Sequence, residues 1–286
     1  MDFTALPEKY STYKTAKIVV LPIPYDGTAT LLKGSDLGPQ AILAASSRLS
    51  LFDLETNSEV YRQGICTLPP LSRQENPGQM IDEVRQQAAP LFRDGKLVVG
   101  LGGKHVVSIG LIQAALERHS DLSVIHFDAH ADLREEYQGY HYSHASIIRR
   151  CLDHFGPGHQ LLQFGIRSGA REEYVWMREN KTLAPSLDDF VAFIEALPAS
   201  RPIYLTLDLD YFDPAFLPGT GTPEPGGQDF FSFVRIVQAL HRKNMVAADV
   251  VELSPPVDVS GNSDVFATKV VRELILAFHR EGKNEE

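Results

Sequence analysis

The sequence predicts an α/β protein with a mostly parallel central sheet and helices on both faces, forming one domain over residues 1–286. Three observations carry this expectation. Short apolar runs alternate with longer helical patterns from end to end, which implies parallel strands joined by crossover helices. The runs are rich in Val, Ile and Leu rather than strictly alternating, as fits strands covered on both faces. No low-complexity linker, internal repeat or composition break divides the chain, and α/β folds often run past about 250 residues as one unit.

In chain order, Lys17–Ile23 reads as the first strand, followed by helical patterns at Pro39–Ser47 and Gln79–Phe92. Leu97–Gly102 is the next strand, with a helix over Val106–Glu117, and Leu122–Phe127 is the third, with a helix over Ser143–His154. Leu161–Gly165 leads into helices at Arg171–Asn180 and Leu187–Ala196. Ile203–Leu209 and Ala247–Leu253 are the last strands, separated by a helix over Asp229–His241. A final helix, Asp264–His279, is expected to take Asn262 or Ser263 as its N-cap, both being types whose side chain can accept from the first turn. Charged runs such as Arg171-Glu172-Glu173 and the tail Glu281–Glu286 read as solvated surface.

Composition narrows the function classes. Hydrophobic residues make up 43% and charged residues 22%, an ordinary globular balance that excludes disorder and collagen-like repeats as the main character. The formal charge of −10 makes the chain a poor general binder of nucleic acid or anionic membranes and a plausible host for cations. Cys66 and Cys151 are too few for a disulfide framework or a thiolate cage, which points to a reducing compartment. The N-terminal residues lack a basic and apolar signal pattern, and no run of about 18 apolar residues occurs. The expectation is a cytoplasmic protein.

In a parallel sheet, functional groups gather where loops leave the carboxyl ends of strands. Unusual residues cluster after Gly102, Phe127, Leu207 and Leu253. Asp128, His130 and Asp132 are two apart, so an extended segment would aim all three one way. Unpaired carboxylates crowded together take up protons, and a cation removes that penalty. His126 is expected on the opposite face, as a core or supporting histidine. Asp208 and Asp210 repeat the pattern, whereas Asp213 before Pro214 reads as a turn residue. Gly102-Gly103-Lys104-His105 ends another strand; the glycine pair is weak evidence alone, and a lone histidine there is usually structural.

Together these give His105, Asp128, His130, Asp132, Asp208 and Asp210. Imidazole and carboxylate without thiolate suit manganese, iron, zinc or similar divalent ions. Six ligands exceed what one such ion draws from protein while keeping an open position, so two bridged metals are favoured. Four carboxylates offset two divalent cations, and such a pair can activate water at neutral pH. The residues read as a binuclear metallohydrolase.

At this point the chain resembles the ureohydrolase family, which includes agmatinase and arginase. The match spans nearly the whole chain, through Pro24-Tyr25-Asp26-Gly27-Thr28, Gly34 to Gly38-Pro39, Gly102–His105, Asp128–Asp132, Asp208–Pro214, Pro218–Gly227 and Glu252–Pro256. The last two motifs look more like agmatinase than arginase. The resemblance implies a three-layer α/β/α, arginase-like fold, two manganese ions, and hydrolysis of a guanidino group to urea and an amine. It implies that Asp128 and Asp208 bridge the metals, with His105 and Asp132 completing one site and His130 and Asp210 the other. By the same likeness His144 is a proton shuttle, Asp132 a proton relay, and Glu252 the carboxylate that holds the guanidinium. It further implies a homo-oligomer, trimer or hexamer.

The implied reaction is agmatine to putrescine and urea, with aminopropylagmatine, guanidinobutyrate or arginine as alternative substrates. Loop 133–142 lacks the Asn/Ser-rich segment with which arginases grip an α-amino acid, which favours substrates without an α-carboxylate. Its tyrosines and acids could line a channel for an amine tail or form a packed surface loop. Two departures from the pattern stand out. Ala145 follows the shuttle histidine where glycine is common. Lys104 stands where the family usually has an acidic or neutral residue, so it either points away, pairs with a carboxylate, or weakens metal binding. A deacetylase on a related fold would retain fewer metal carboxylates. A metal-poor structural relative would hold no divalent ion.

Overall fold

The computed structural model of the chain describes residues 1–27, 33–54 and 57–278. Thr28, His279 and the Glu281–Glu286 tail, all named above, lie outside the described residues. Among those described, seven strands form one sheet: β1 (Ile18–Ile23), β2 (Ile65–Thr67), β3 (Leu97–Gly102), β4 (Ser123–Phe127), β5 (Gln160–Phe164), β6 (Pro202–Asp208) and β7 (Asn244–Val251). Their order across the sheet is β2-β1-β3-β7-β6-β4-β5, and every pairing is parallel. Beyond one turn of helix at Glu8–Ser11, the α-helices among the described residues are α1 (Gly38–Ser46), α2 (Pro77–Arg93), α3 (Ser108–Arg118), α4 (Ile147–Leu152), α5 (Arg171–Asn180), α6 (Leu187–Ala196), α7 (Phe230–Leu240) and α8 (Asn262–Ala277).

Consecutive strand residues divide between two cores, which is why the runs are largely apolar rather than alternating. Val20, Val99, Ile125, Leu205 and Val250 face a core shared with α1, α6, α7 and α8. Val19, Val98, Val124, Tyr204 and Val251 face the other, with α2, α3 and α4. Each such side chain contributes roughly 1.5–3 kcal/mol by leaving water. The expected three-layer α/β/α fold is the one found, with helices on both faces of the sheet.

Helix starts follow local hydrogen bonding. Asn76, Ser186 and Asp229 each accept from a backbone N–H of the first turn of α2, α6 and α7. The start of α8 corrects the expectation: Gly261, with φ of 74°, is the cap, and Asn262 is already helical. Asp258 satisfies this terminus instead, accepting from the Ser263 backbone at 2.9 Å and its hydroxyl at 2.7 Å. The expected helix Ser143–His154 is a 3-10 turn, His144–Ser146, followed by the short α4. The edge strand β2 had no counterpart in the sequence reading, since three residues are too few for a periodic signal.

The strand order positions the site. β3, β7, β6 and β4 are consecutive neighbours in the sheet although they come from four well-separated stretches of sequence. Neighbouring parallel strands lie about 4.8 Å apart, so the residues that follow their carboxyl ends share one short rim.

Candidate metal centre

Each strand end delivers one part. Gly103 follows β3, and a Cβ there would lie 2.0 Å from the Tyr25 carbonyl, so only glycine lets the chain pass. This passage turns His105 inward. Asp128 follows β4, Asp208 closes β6, and Glu252 follows β7. Asp132 and Glu252 hold φ of 56° and 68°, the left-handed region that non-glycine residues seldom adopt. Such strain concentrates at functional positions.

The backbone that brings the aspartates together differs from the expected extended segment. Asp132 is left-handed, and Asp210 lies in the 3-10 turn Leu209–Tyr211. Hydrogen bonds within the loops set the convergence: His130 N–H donates to Asp128 Oδ1 at 2.6 Å and Asp210 N–H to Asp208 Oδ1 at 2.9 Å. Ala129 N–H donates to Asp210 Oδ1 at 2.9 Å, tying one loop to the other.

Two donor groups result. His105 Nδ1 lies 3.1 Å from Asp128 Oδ2 and 3.4 Å from both Asp132 Oδ2 and Asp208 Oδ2. His130 Nδ1 lies 3.0 Å from Asp210 Oδ2 and 3.3 Å from Asp128 Oδ1. The two oxygens of Asp128 therefore face different groups, the arrangement of a bridging carboxylate. All six metal-ligand candidates from the sequence come together. His105, Asp128, Asp132, Asp208 and Asp210 are buried, and His130 is partly exposed.

The side chains around His105 select its ligand atom. Thr206 Oγ1 donates to Asp249 Oδ1 at 2.8 Å, because a carboxylate can only accept. The same hydroxyl oxygen therefore accepts from His105 Nε2–H at 2.9 Å. Nδ1 is then the ring atom left for a metal, aimed at three carboxylates, a buried nitrogen with no hydrogen-bond partner among the described residues. Such an orphan fits a divalent ion, and so does the oxygen and nitrogen donor set. Asp249 is fully buried and also accepts from Ser108 and Tyr204.

His126 corrects its expected orientation. It reaches Asp128 Oδ2 through Nε2 at 3.0 Å, because the strand alternation ends at Phe127. Gln163 Nε2 donates to His126 Nδ1 at 3.1 Å, which puts the ring proton on Nε2 and makes His126 a support for Asp128.

Charge crowding is evident in the titration. Burial, then the Asp128 charge, pushes the Asp132 carboxyl up to about 7 and the Asp210 carboxyl to about 6. Burial and the charges of Asp210 and Asp128 raise Asp208 well above the usual range. Burial opposes ionisation of Asp128, but His105, His126 and His130 outweigh it and hold the group well below its usual value. This tension is what bound cations relieve.

A cavity of about 250 Å3 opens onto the cluster, lined also by Lys104, Arg134, Tyr137, His144, Glu173 and Glu252. His144 stands at its wall with its ring 5.3 Å from that of Tyr137. Arg134 and Tyr137 place part of loop 133–142 at the pocket, whereas Tyr140 is exposed. Lys104 lies in the pocket and pairs with a carboxylate, its Nζ 2.8 Å from Glu252 Oε2.

Glu173, expected on the solvated surface, is buried. It accepts from the Leu133 backbone at 3.0 Å and the Ala170 backbone at 2.7 Å. Arg167, which the sequence reading passed over, secures the Asp210 loop by donating to the Asp210 carbonyl at 2.6 Å. Asp213 is a turn residue as expected, accepting from Ala215, Gly226 and Gly227.

The chain matches the Arginase family over residues 16–277. It is 35% identical to the agmatinase of Halalkalibacterium halodurans across 94% of each protein. It is 38% identical to the N(1)-aminopropylagmatine ureohydrolase of Thermus thermophilus across 87% of this chain and 86% of that one. The crystal structure of the agmatine ureohydrolase of Thermoplasma volcanium superposes with a TM-score of 0.85 at 28% identity, covering 97% of this chain and 94% of that one. A family match over residues 16–277, with 35% identity to an agmatinase across 94% of each protein, means that this chain belongs to the arginase family.

Proposed function

We propose that the protein is a binuclear-manganese hydrolase that cleaves a guanidino group to urea and an amine, with agmatine as substrate and putrescine as the amine. The observation that carries this reading is the pair of donor groups sharing Asp128. His105, Asp132 and Asp208 would hold one ion beside it, and His130 and Asp210 the other, with Asp208 as second bridge. Bound there, the ions would supply Lewis acidity and an activated water. Glu252 would hold the planar cation through charge-assisted hydrogen bonds. Asp132 would take the proton of the attacking water and pass it to the departing amine, which is otherwise a very poor leaving group. His144, at the pocket wall, would exchange protons with solvent.

The relative at 38% identity supports a second substrate, aminopropylagmatine, with the same chemistry giving spermidine. Guanidinobutyrate and arginine complete the panel. The chain acting as one domain is supported by its single seven-stranded sheet. We infer a cytoplasmic homo-oligomer, trimer or hexamer, acting on a small cation without nucleic acid or membrane. No helix among the described residues is long and apolar enough to cross a membrane. Urea release with added manganese from the four guanidino compounds is the test. Fastest turnover of agmatine is expected; faster release from another compound rejects the substrate, and none from any rejects the reaction.

A further inference from the structure

We propose that Lys104 is a specificity-determining residue of this pocket: its ammonium occupies Glu252, and a guanidinium binds by displacing it. The inference rests on the reading of Glu252 as the guanidinium-holding carboxylate. Glu252 Oε1 accepts from the His105 backbone at 2.9 Å, while Oε2 accepts from Lys104 Nζ at 2.8 Å and Ser35 Oγ at 3.4 Å. Glu252 is 3% exposed and Lys104 5%. A planar guanidinium pairs best with a carboxylate through two parallel N–H···O bonds, and the Lys104 ammonium already holds one of the two oxygens that such a fork needs.

Displacement moves only the side chain. The Lys104 backbone is fixed, its N–H donating to the Tyr25 carbonyl at 2.8 Å and its carbonyl accepting from Val107 at 3.2 Å. Asp26 and Asp208 are further carboxylates whose charge acts on the ammonium, and Asp26 Oδ1 has no hydrogen-bond partner among the described residues. A displaced ammonium therefore stays among negative charges. The guanidinium is the better occupant of the vacated carboxylate, being planar and more weakly hydrated than an ammonium. The other glutamate lining the pocket, Glu173, also has a basic neighbour, Arg134 at 3.7 Å. The pocket thus meets a cationic substrate with its outer carboxylates already matched, and a cation must compete for its place.

The experiment compares wild type, K104Q and K104R by calorimetric titration of the manganese-loaded protein with guanidinium chloride at millimolar concentration, alongside KM for agmatine. Lys104→Gln removes the competing charge and keeps a donor to Glu252. Its guanidinium affinity should rise about tenfold or more, the scale of one charge-assisted hydrogen bond, and KM should fall with it. Lys104→Arg presents a fixed fork to Glu252 and should bind guanidinium more weakly than wild type. Affinity unchanged or weaker in K104Q, with a cooperative melt showing that it is folded, overturns the proposal. Should K104Q fail to fold, K104R decides: weaker guanidinium binding than wild type upholds displacement, and equal or tighter binding overturns it. Absence of urea from every compound in wild type and K104Q alike rejects the proposed reaction, while the titration still decides the role of Lys104.

Discussion

Replacing Thr206 with valine tests whether the residues around His105 prepare it for a metal. Valine keeps the volume of threonine and removes the hydroxyl that accepts from His105 Nε2–H at 2.9 Å and donates to Asp249 at 2.8 Å. The Nε2 proton then has no acceptor on that side, and nothing reserves Nδ1 as the ring atom that meets a metal. Asp249 retains Ser108 and Tyr204 as donors, so its own loss is partial. An unsatisfied buried donor costs about 1–3 kcal/mol. Loss of a group that orients a metal-binding histidine typically weakens the metal about 10- to 100-fold. Manganese titration followed by calorimetry should therefore show one site weakened by that factor and the other nearly unchanged. Wild-type affinity at both sites in a folded Thr206→Val protein would refute the tautomer argument.

Three further outcomes follow from the same geometry. His130→Ala or Asp210→Asn should lower manganese content from two ions to one per chain and remove nearly all urea release, while the melting transition persists. Glu252→Gln should raise KM for agmatine at least about tenfold, by loss of a charge-assisted bond, with a smaller effect on kcat; unchanged kinetics would remove its role. Manganese should stabilise the fold more as pH rises from 5.5 to 8. Asp132 and Asp210, raised to about 7 and about 6, favour the metal-free fold in acid and lose that contribution as pH climbs through those values. His130, for which burial works against the charge but Asp128 and Asp210 prevail, is raised to about 12 and loses its contribution above the unfolded histidine value, in the same direction. Asp128, held well below its usual value, acts only in stronger acid. Metal binding needs all these ligands deprotonated, so melting temperature should fall with pH without manganese and the manganese-induced increase should widen.

The strand runs were readable because both faces of the sheet are covered, and the motif at Asp128–Asp132 stood out because it follows one of them. The aspartates do not converge by i, i+2, i+4 alternation along an extended segment, since Asp132 and Asp210 sit in turns set by loop hydrogen bonds. Asp249 had a readable signal, a lone carboxylate inside the apolar run Val246–Val251, which is tolerable only with several donors around it. Glu173 had none, because a glutamate in the first turn of a helix ordinarily faces water. The pairing of Lys104 with Glu252 joins residues 148 positions apart and needed the β3–β7 adjacency to be seen. The start of α8 was misplaced because Asp258 acts from outside the turn that local capping rules inspect.

Anomalous diffraction at the manganese edge, from crystals grown with the metal, tests the shared carboxylate most directly. Two peaks roughly 3.5–4 Å apart are expected, one beside His105 and one beside His130, each touching a different oxygen of Asp128. A single peak, or peaks away from Asp128, would contradict the two-ion centre.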